Sequence, residues 1–381
     1  MLDRNKYRIE QLDILKALGI ICMVSGHAGA PFTEFVYLFH MAIFFIASGF
    51  FYKDNNSQDI HSVFKSFWKK VKRLYIPLFI WNVIYTLLHN LFIHINVYTD
   101  NPQLLNYVSG KWICITEYYS KYDIIMRIIK GTIFISSSEQ MFGTEWFLRV
   151  LLMTSVFYLT VDYIIKHFFK KQQILIQFII AIILLMFGFC CYKIFNNSFY
   201  GIAQTCSFYC LYFLGYILQM YKDKYSNWNW KQYIPALFIS FLVLLWLNSI
   251  GSIELGQNRY ENPVFLLLAS SSGWLLLYSL SYFIKKYIYL KKIMIEIGKH
   301  TLAIMILHFL SFKIVELFIV NYYGMPLFCV ATFPNLFGST GLWWLAYTII
   351  GVIVPVILSI VYYNFIDKIY INIYRKKQYK I

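Results

Sequence analysis

Charge is the first thing this 381-residue chain lacks: only 14% of its residues are charged, and just 18 are acidic. That excludes an ordinary soluble domain, in which about a quarter of residues are charged. It also lacks any CxxC pair among its seven cysteines, Cys22, Cys114, Cys190, Cys191, Cys206, Cys210 and Cys329. The spacing gives neither a zinc site nor a disulfide framework. Cys206 and Cys210 share a helix face, as packing residues do. No internal repeat stands out, which weighs against transporter folds built from duplicated halves. No soluble appendage stands out either, so residues 1–381 read as one integral-membrane domain.

What is abundant is apolar surface, with 59% hydrophobic and 20% aromatic residues. Runs of about twenty apolar residues recur from end to end, each long enough to cross a bilayer core. Many aromatics sit at run ends, as in interfacial belts. The fold class is an all-α polytopic membrane protein with about ten transmembrane helices. The spans fall near 12–30, 35–52, 74–98, 145–165, 173–192, 199–220, 232–250, 262–284, 300–320 and 341–365.

The net charge of +16 has a direction. With the N-terminus inside, 25 of the 34 Lys and Arg fall in cytoplasmic segments. Six are outside (Lys111, Lys121, Arg127, Lys130, Lys193, Arg259) and three lie in spans (Lys16, Arg149, Lys313). This positive-inside pattern puts both termini in the cytoplasm. The charge therefore orients the chain and faces anionic lipid, rather than nucleic acid. A second reading makes the first span a cleaved signal peptide, with "RNKYR" as its basic flank and Ala28-Gly29-Ala30 as the cleavage site. Asp13 and Lys16 inside the run argue against it. Two further segments are amphipathic. "YDIIMRIIKGTIFI", in the outer segment 99–144, is apolar at near-helical spacing and either lies in the interface or folds over the outer mouth. "KDNNSQDIHSVFKSFWKKVKRLYIP" ends as a basic helix running into the third span, suited to anionic lipid or to a ligand.

Ionisable groups inside spans are costly and become functional candidates by default. Asp13, Lys16 and His27 lie in the first span. Lys16 and His27 are eleven residues apart, close to three turns, so they share one face about 16 Å apart along the axis. Asp13, three residues before Lys16, can pair with it. His40 sits near the outer end of the second span. The short link "AGAPFTEF" makes the two spans an antiparallel hairpin, with His27 and His40 at similar depth. Each histidine alone is readily explained as a structural, hydrogen-bonded group. Two at matched depth beside an Asp-Lys stripe point to acid–base chemistry. Elsewhere, Glu145 and Arg149 can pair at i,i+4, and Trp146 is placed either to stack on a sugar or to sit at the interface. His308 lies in the ninth span, with Lys313 and Glu316 able to pair at i,i+3. Lys70 and Arg73 face the cytoplasm.

Together, "QLDILKALGIICMVSGH", "FVYLFHMAIFFIASGFFYK", "KKVKRLYIP", "EWFLRVLL" and "IGKHTLAIMILHF" resemble the acyltransferase family 3 membrane proteins, closest to the fucose 4-O-acetylase-like branch of sugar O-acetyltransferases. The resemblance runs from about residue 8 to about 310. It implies ten core spans in a bacterial inner membrane and acetyl transfer from acetyl-CoA, with no metal, to a hydroxyl of a cell-envelope glycan or lipid-linked sugar. The family's basic residue, ten intervening residues and then histidine match Lys16 and His27. Its preceding acid matches Asp13, and its Phe-His motif matches Phe39-His40. Its paired-arginine motif is Lys70-Val71-Lys72-Arg73 here, where Lys keeps the charge but loses the bidentate fork. Its Trp-Phe-Leu motif matches Trp146-Phe147-Leu148. The implied catalytic set is His27, Asp13, Lys16 and His40, with Lys16, Lys70 and Arg73 holding the donor. Glu145, Trp146, Arg149 and His308 would hold the acceptor. Under this reading His27 is either general base or acyl carrier, and general base is the simpler role. Rival classes are a lipid-linked glycan flippase or exporter, a proton-coupled transporter with a His27–His40 relay, and a non-catalytic subunit of an envelope machine.

Overall fold

The computed structural model describes residues 9–108, 115–137, 139–169, 171–195 and 199–378. The side chains of Ser226 and of 366–378 are not described. The "RNKYR" flank, Lys111, Cys114 and the side chains of the basic tail therefore lie outside the description.

The helices in chain order are α1 (Glu10–His27), α2 (Thr33–Tyr37), α3 (Ala42–Phe50), α4 (Ile60–Lys70), α5 (Ile76–His94), α6 (Lys121–Phe134), α7 (Glu145–Phe168) and α8 (Gln173–Phe195). They continue as α9 (Ile202–Met220), α10 (Lys222–Ser226), α11 (Trp230–Ile250), α12 (Pro263–Ile284), α13 (Ile288–Lys299), α14 (Thr301–Tyr322) and α15 (Trp343–Gln378). A short antiparallel pair, β1 (Ile253–Glu254) and β2 (Arg259–Tyr260), pairs Ile253 with Tyr260 and Glu254 with Arg259.

The chain is an all-α polytopic membrane protein. Among the described residues, nine helical stretches are long and apolar enough to cross a bilayer: Thr33–Phe50, Ile60–His94, Gln140–Phe168, Gln173–Phe195, Phe199–Met220, Trp230–Ile250, Pro263–Ile284, Thr301–Tyr322 and Trp343–Phe365. The span expected at 12–30 is α1. Glu10, Asp13 and Lys16 within its 18 residues keep it out of that set. It is shielded instead by protein, packing against α3, α12, α13, α14 and α15. That surrounding is what makes charge tolerable in a helix at membrane depth.

The span expected at 35–52 is not one continuous helix. It breaks between α2 and α3, and His40 sits in the break. The amphipathic segment forms α4, capped by Asp59, which accepts from the Ser62 amide at 2.8 Å. Ile60, Phe64 and Trp68 repeat every four residues along its exposed face. A π-helical turn, Val71–Tyr75, carries α4 straight into α5. The stretch "YDIIMRIIKGTIF" is helical as α6, started by a Ser120–Asp123 capping box, and lies against α5. Cys206 and Cys210 are both buried in α9, consistent with packing. Helices α3 and α9 meet backbone to backbone: a Cβ on Gly49 would overlap the Tyr212 carbonyl, and one on Gly215 the Ile46 carbonyl. Only glycine allows that approach.

Candidate active site

Two clusters lie at opposite ends of α1. At its C-terminal end, three imidazoles gather from three elements. His27, the last residue of α1, stacks on His308 of α14 with ring centroids 5.4 Å apart and planes at 26°. Tyr37 lies between His27 and His40, its hydroxyl 3.4 Å from His27 Nδ1 and its ring 4.8 Å from that of His40. Gly26 makes room for it, since a Cβ there would collide with the Tyr37 ring.

The hydrogen bonds fix two of the three tautomers. His40 Nδ1 donates to the Val36 carbonyl at 2.9 Å. His308 Nδ1 donates to the carbonyls of Ile304 and Met305, both at 3.0 Å. A carbonyl can only accept, so each Nδ1 carries hydrogen and each neutral ring keeps its lone pair on Nε2. His308 is fully buried, and its Nε2 has no partner among the described residues. His27 alone of the three is partly exposed.

The backbone beneath His27 is held from a segment that the sequence did not single out. Helix carbonyls in the last turn have no intrahelical partner. Asn335 Nδ2 donates to the His27 carbonyl at 2.7 Å, while Asn335 Oδ1 accepts from the Gly338 amide at 2.8 Å. The segment 330–338 is in turn fixed by α14. Lys313 donates to the carbonyls of Val330 (2.9 Å) and Thr332 (2.6 Å), and Glu316 accepts from the Leu336 amide at 2.7 Å. Both charges are buried. The i,i+3 spacing offered only a pairing within the helix, whereas the structure uses both charges as a clamp on a distant strap.

Glu145 and Arg149 lie 3.7 Å apart at the start of α7. That helix start abuts α14 one turn before His308, where Thr144 Oγ1 donates to the Met305 carbonyl at 2.7 Å. The Trp146 indole packs about the β1–β2 turn, 3.4 Å from where a Gly256 Cβ would stand, and makes no ring contact with the three histidines among the described residues.

At the other end, Lys16 and Asp13 are paired at 2.7 Å, and Lys16 Nζ lies 5.9 Å from the Phe51 ring centroid. Lys70 donates to Tyr212 Oη at 3.2 Å and lies over the same ring. Phe51 caps the C-terminal end of α3, and Tyr212, midway along α9, meets α3 at Gly49, so both lysines border one region. Arg73 stands exposed in the π-helical turn. The shared face of α1 between Lys16 and His27 is not an open track: Ile20 and Met23, which lie on it, are both 0% exposed.

Two buried polar centres went unnoticed in the sequence. Asp162 accepts from Tyr52 (2.7 Å), Ser57 (2.5 Å), Lys166 (2.8 Å) and Gln177 (3.0 Å). The Asp-x-x-x-Lys spacing in an apolar run was a readable sign of it. His89 pairs with Glu139 at 2.8 Å and reaches the Glu117 carbonyl at 3.1 Å. No spacing links those three residues.

The model of one family, described as an acyltransferase domain, matches residues 9–363. The chain belongs to acyltransferase family 3. The match spans both clusters and all the residues that join them, so the histidine and basic ends sit in one acyltransferase domain. No curated protein and no solved structure matches the chain.

Proposed function

We propose that this family 3 acyltransferase moves an acetyl group from acetyl-CoA to a hydroxyl of a cell-envelope glycan or lipid-linked sugar, in the bacterial inner membrane with both termini cytoplasmic. The observation that carries this reading is the cluster of three imidazoles, of which only His27 is open to a substrate. His27 takes the proton of the acceptor hydroxyl as that oxygen attacks the thioester carbonyl. The carbon–sulfur bond breaks, and the departing thiolate recovers the proton from His27. His308 packs its ring against His27 and His40 lies beside Tyr37; both are buried, so their fixed Nε2 lone pairs reach sugar hydroxyls only when the cluster opens. Glu145 and Arg149 flank that position, and Trp146 serves the acceptor only at its edge, beside the β1–β2 turn. Asp13 holds the ammonium of Lys16.

The donor's phosphates are the natural ligands of Lys70 and Arg73 at the basic end. Its pantetheine arm then follows the Lys16–His27 face, which requires Ile20 and Met23 to give way. Opening on substrate binding is common where water must be kept from a reactive ester.

The test compares envelope glycans from cells carrying wild type, His27→Ala or no copy, at matched membrane levels of protein. Mild base releases ester-linked acyl groups for mass spectrometry. An acetyl ester present only with wild type is the expected result. Identical esters in all three would remove both the reaction and the role of His27.

A further inference from the structure

The basic end of α1 borders a second polar cavity, on the face of the helix away from Lys16. It encloses about 320 Å³ between Gln11 of α1, Trp228 and Tyr233 at the start of α11, and Tyr282, Lys285 and Lys286 at the end of α12. Gln11 and Lys16 are five residues apart, roughly 140° around the helix. The cavity is therefore separate from the stripe assigned to the acyl donor.

Its construction is specific. Gln11 is buried and donates from Nε2 to the Tyr278 carbonyl at 3.0 Å and to Tyr233 Oη at 3.4 Å. Tyr233, also buried, stacks on Tyr282 with centroids 4.1 Å apart. Trp228 closes edge-on against Tyr233 at 5.7 Å. Lys286 stands over the Tyr282 ring at 4.6 Å, and neither Lys285 nor Lys286 has a carboxylate partner among the described residues. Both lysines are exposed at the rim. The nearby acid Glu10 is already engaged by Lys291 at 3.2 Å.

An aromatic-walled cavity with two uncompensated ammonium groups suits a phosphate. Its position identifies the source. Tyr233 is in the first turn of α11 and Lys285 directly follows the last residue of α12, so the cavity lies where two membrane-crossing helices reach the bilayer boundary. From its mouth α11 exposes Ile234, Phe238, Phe241 and Leu245 outward, an apolar track for acyl chains. We propose that this cavity binds the phosphate headgroup of an anionic phospholipid, with its acyl chains lying along α11. A bound lipid there braces the first turn of α1, the helix that carries Lys16 and His27.

The test uses the purified full chain in detergent. Native mass spectrometry counts bound lipid, and thermal unfolding is followed with phosphatidylglycerol, phosphatidylcholine or inorganic phosphate added. Phosphatidylglycerol is expected to remain bound and raise the midpoint, while phosphatidylcholine and phosphate leave it unmoved. Lys285→Ala with Lys286→Ala should abolish that shift. Lys171→Ala with Lys193→Ala, two exposed lysines away from the cavity, should keep it. Tyr282→Leu, which removes the aromatic wall and no charge, should weaken it. Undiminished binding of phosphatidylglycerol by the Lys285/Lys286 variant would overturn the site. Equal protection by inorganic phosphate would overturn the lipid as its occupant. Both readouts are independent of acyl transfer, so failure here leaves the proposed reaction untouched.

Discussion

The two ends of α1 hold their functional side chains in different ways. At the histidine end, His40 and His308 are fixed by backbone carbonyls, and the His27 backbone is fixed by Asn335. At the basic end, Lys16 pairs with Asp13, Lys70 bonds Tyr212, both lie near aromatic rings, and Arg73 stands exposed. Backbone anchoring sets a ring's position and tautomer together, as proton transfer requires. Flexible cations over aromatic rings can follow a phosphate that arrives and leaves. On the proposed reaction, the rigid end is where the bond is made and the adaptable end is where the donor is captured.

This contrast can be broken at either end. The largest effect is expected from His27→Ala, which should lower the rate of acetyl transfer by about 10²–10⁴-fold, the usual value of a general base, as read by labelled acetyl incorporation. Asn335→Ala leaves His27 in place but frees the backbone beneath it. It should lower kcat by up to about 100-fold through misplacement, with donor KM unchanged. A third test locks the closed face. A Cβ on Gly19 would stand 3.5 Å from Ile43 Cγ2. Gly19→Cys with Ile43→Cys should therefore cross-link α1 to α3 on oxidation and cut turnover by about ten-fold or more if that face must open, with recovery on reduction. Unchanged turnover in the cross-linked protein would place the donor's path elsewhere. At the basic end, Lys70→Ala with Arg73→Ala should raise donor KM about ten-fold, as expected from losing charged hydrogen bonds. Trp146→Ala should have the smallest effect, a rise in acceptor KM of about three-fold or less, because its indole faces the β1–β2 turn.

Much of this was legible in the sequence, for reasons that differ by residue. The helical class follows from apolar runs of bilayer length, and the Lys16–His27 stripe from helical period alone. The Glu145–Arg149 and Asp13–Lys16 pairs are local and were readable at i,i+4 and i,i+3. Less legible was what depends on tertiary contact. Asn335 lies 308 residues from the carbonyl it holds. Lys313 and Glu316 look like a local pair, yet both also hold partners 17 to 20 residues away in a strap with no periodicity. The break at His40 was hidden because Leu38–Met41 is as apolar as the helices on either side. Burial of Ile20 and Met23 depends on what packs across from them, which no spacing encodes.

The most direct test of this division is a donor titration that compares wild type, His27→Ala and Lys70→Ala with Arg73→Ala, reading kcat and donor KM from release of free CoA thiol. The histidine variant is expected to lose kcat with donor KM kept, and the basic-end variant to lose KM with kcat kept. If both variants moved the same parameter, the assignment of chemistry to one end and donor capture to the other would be contradicted.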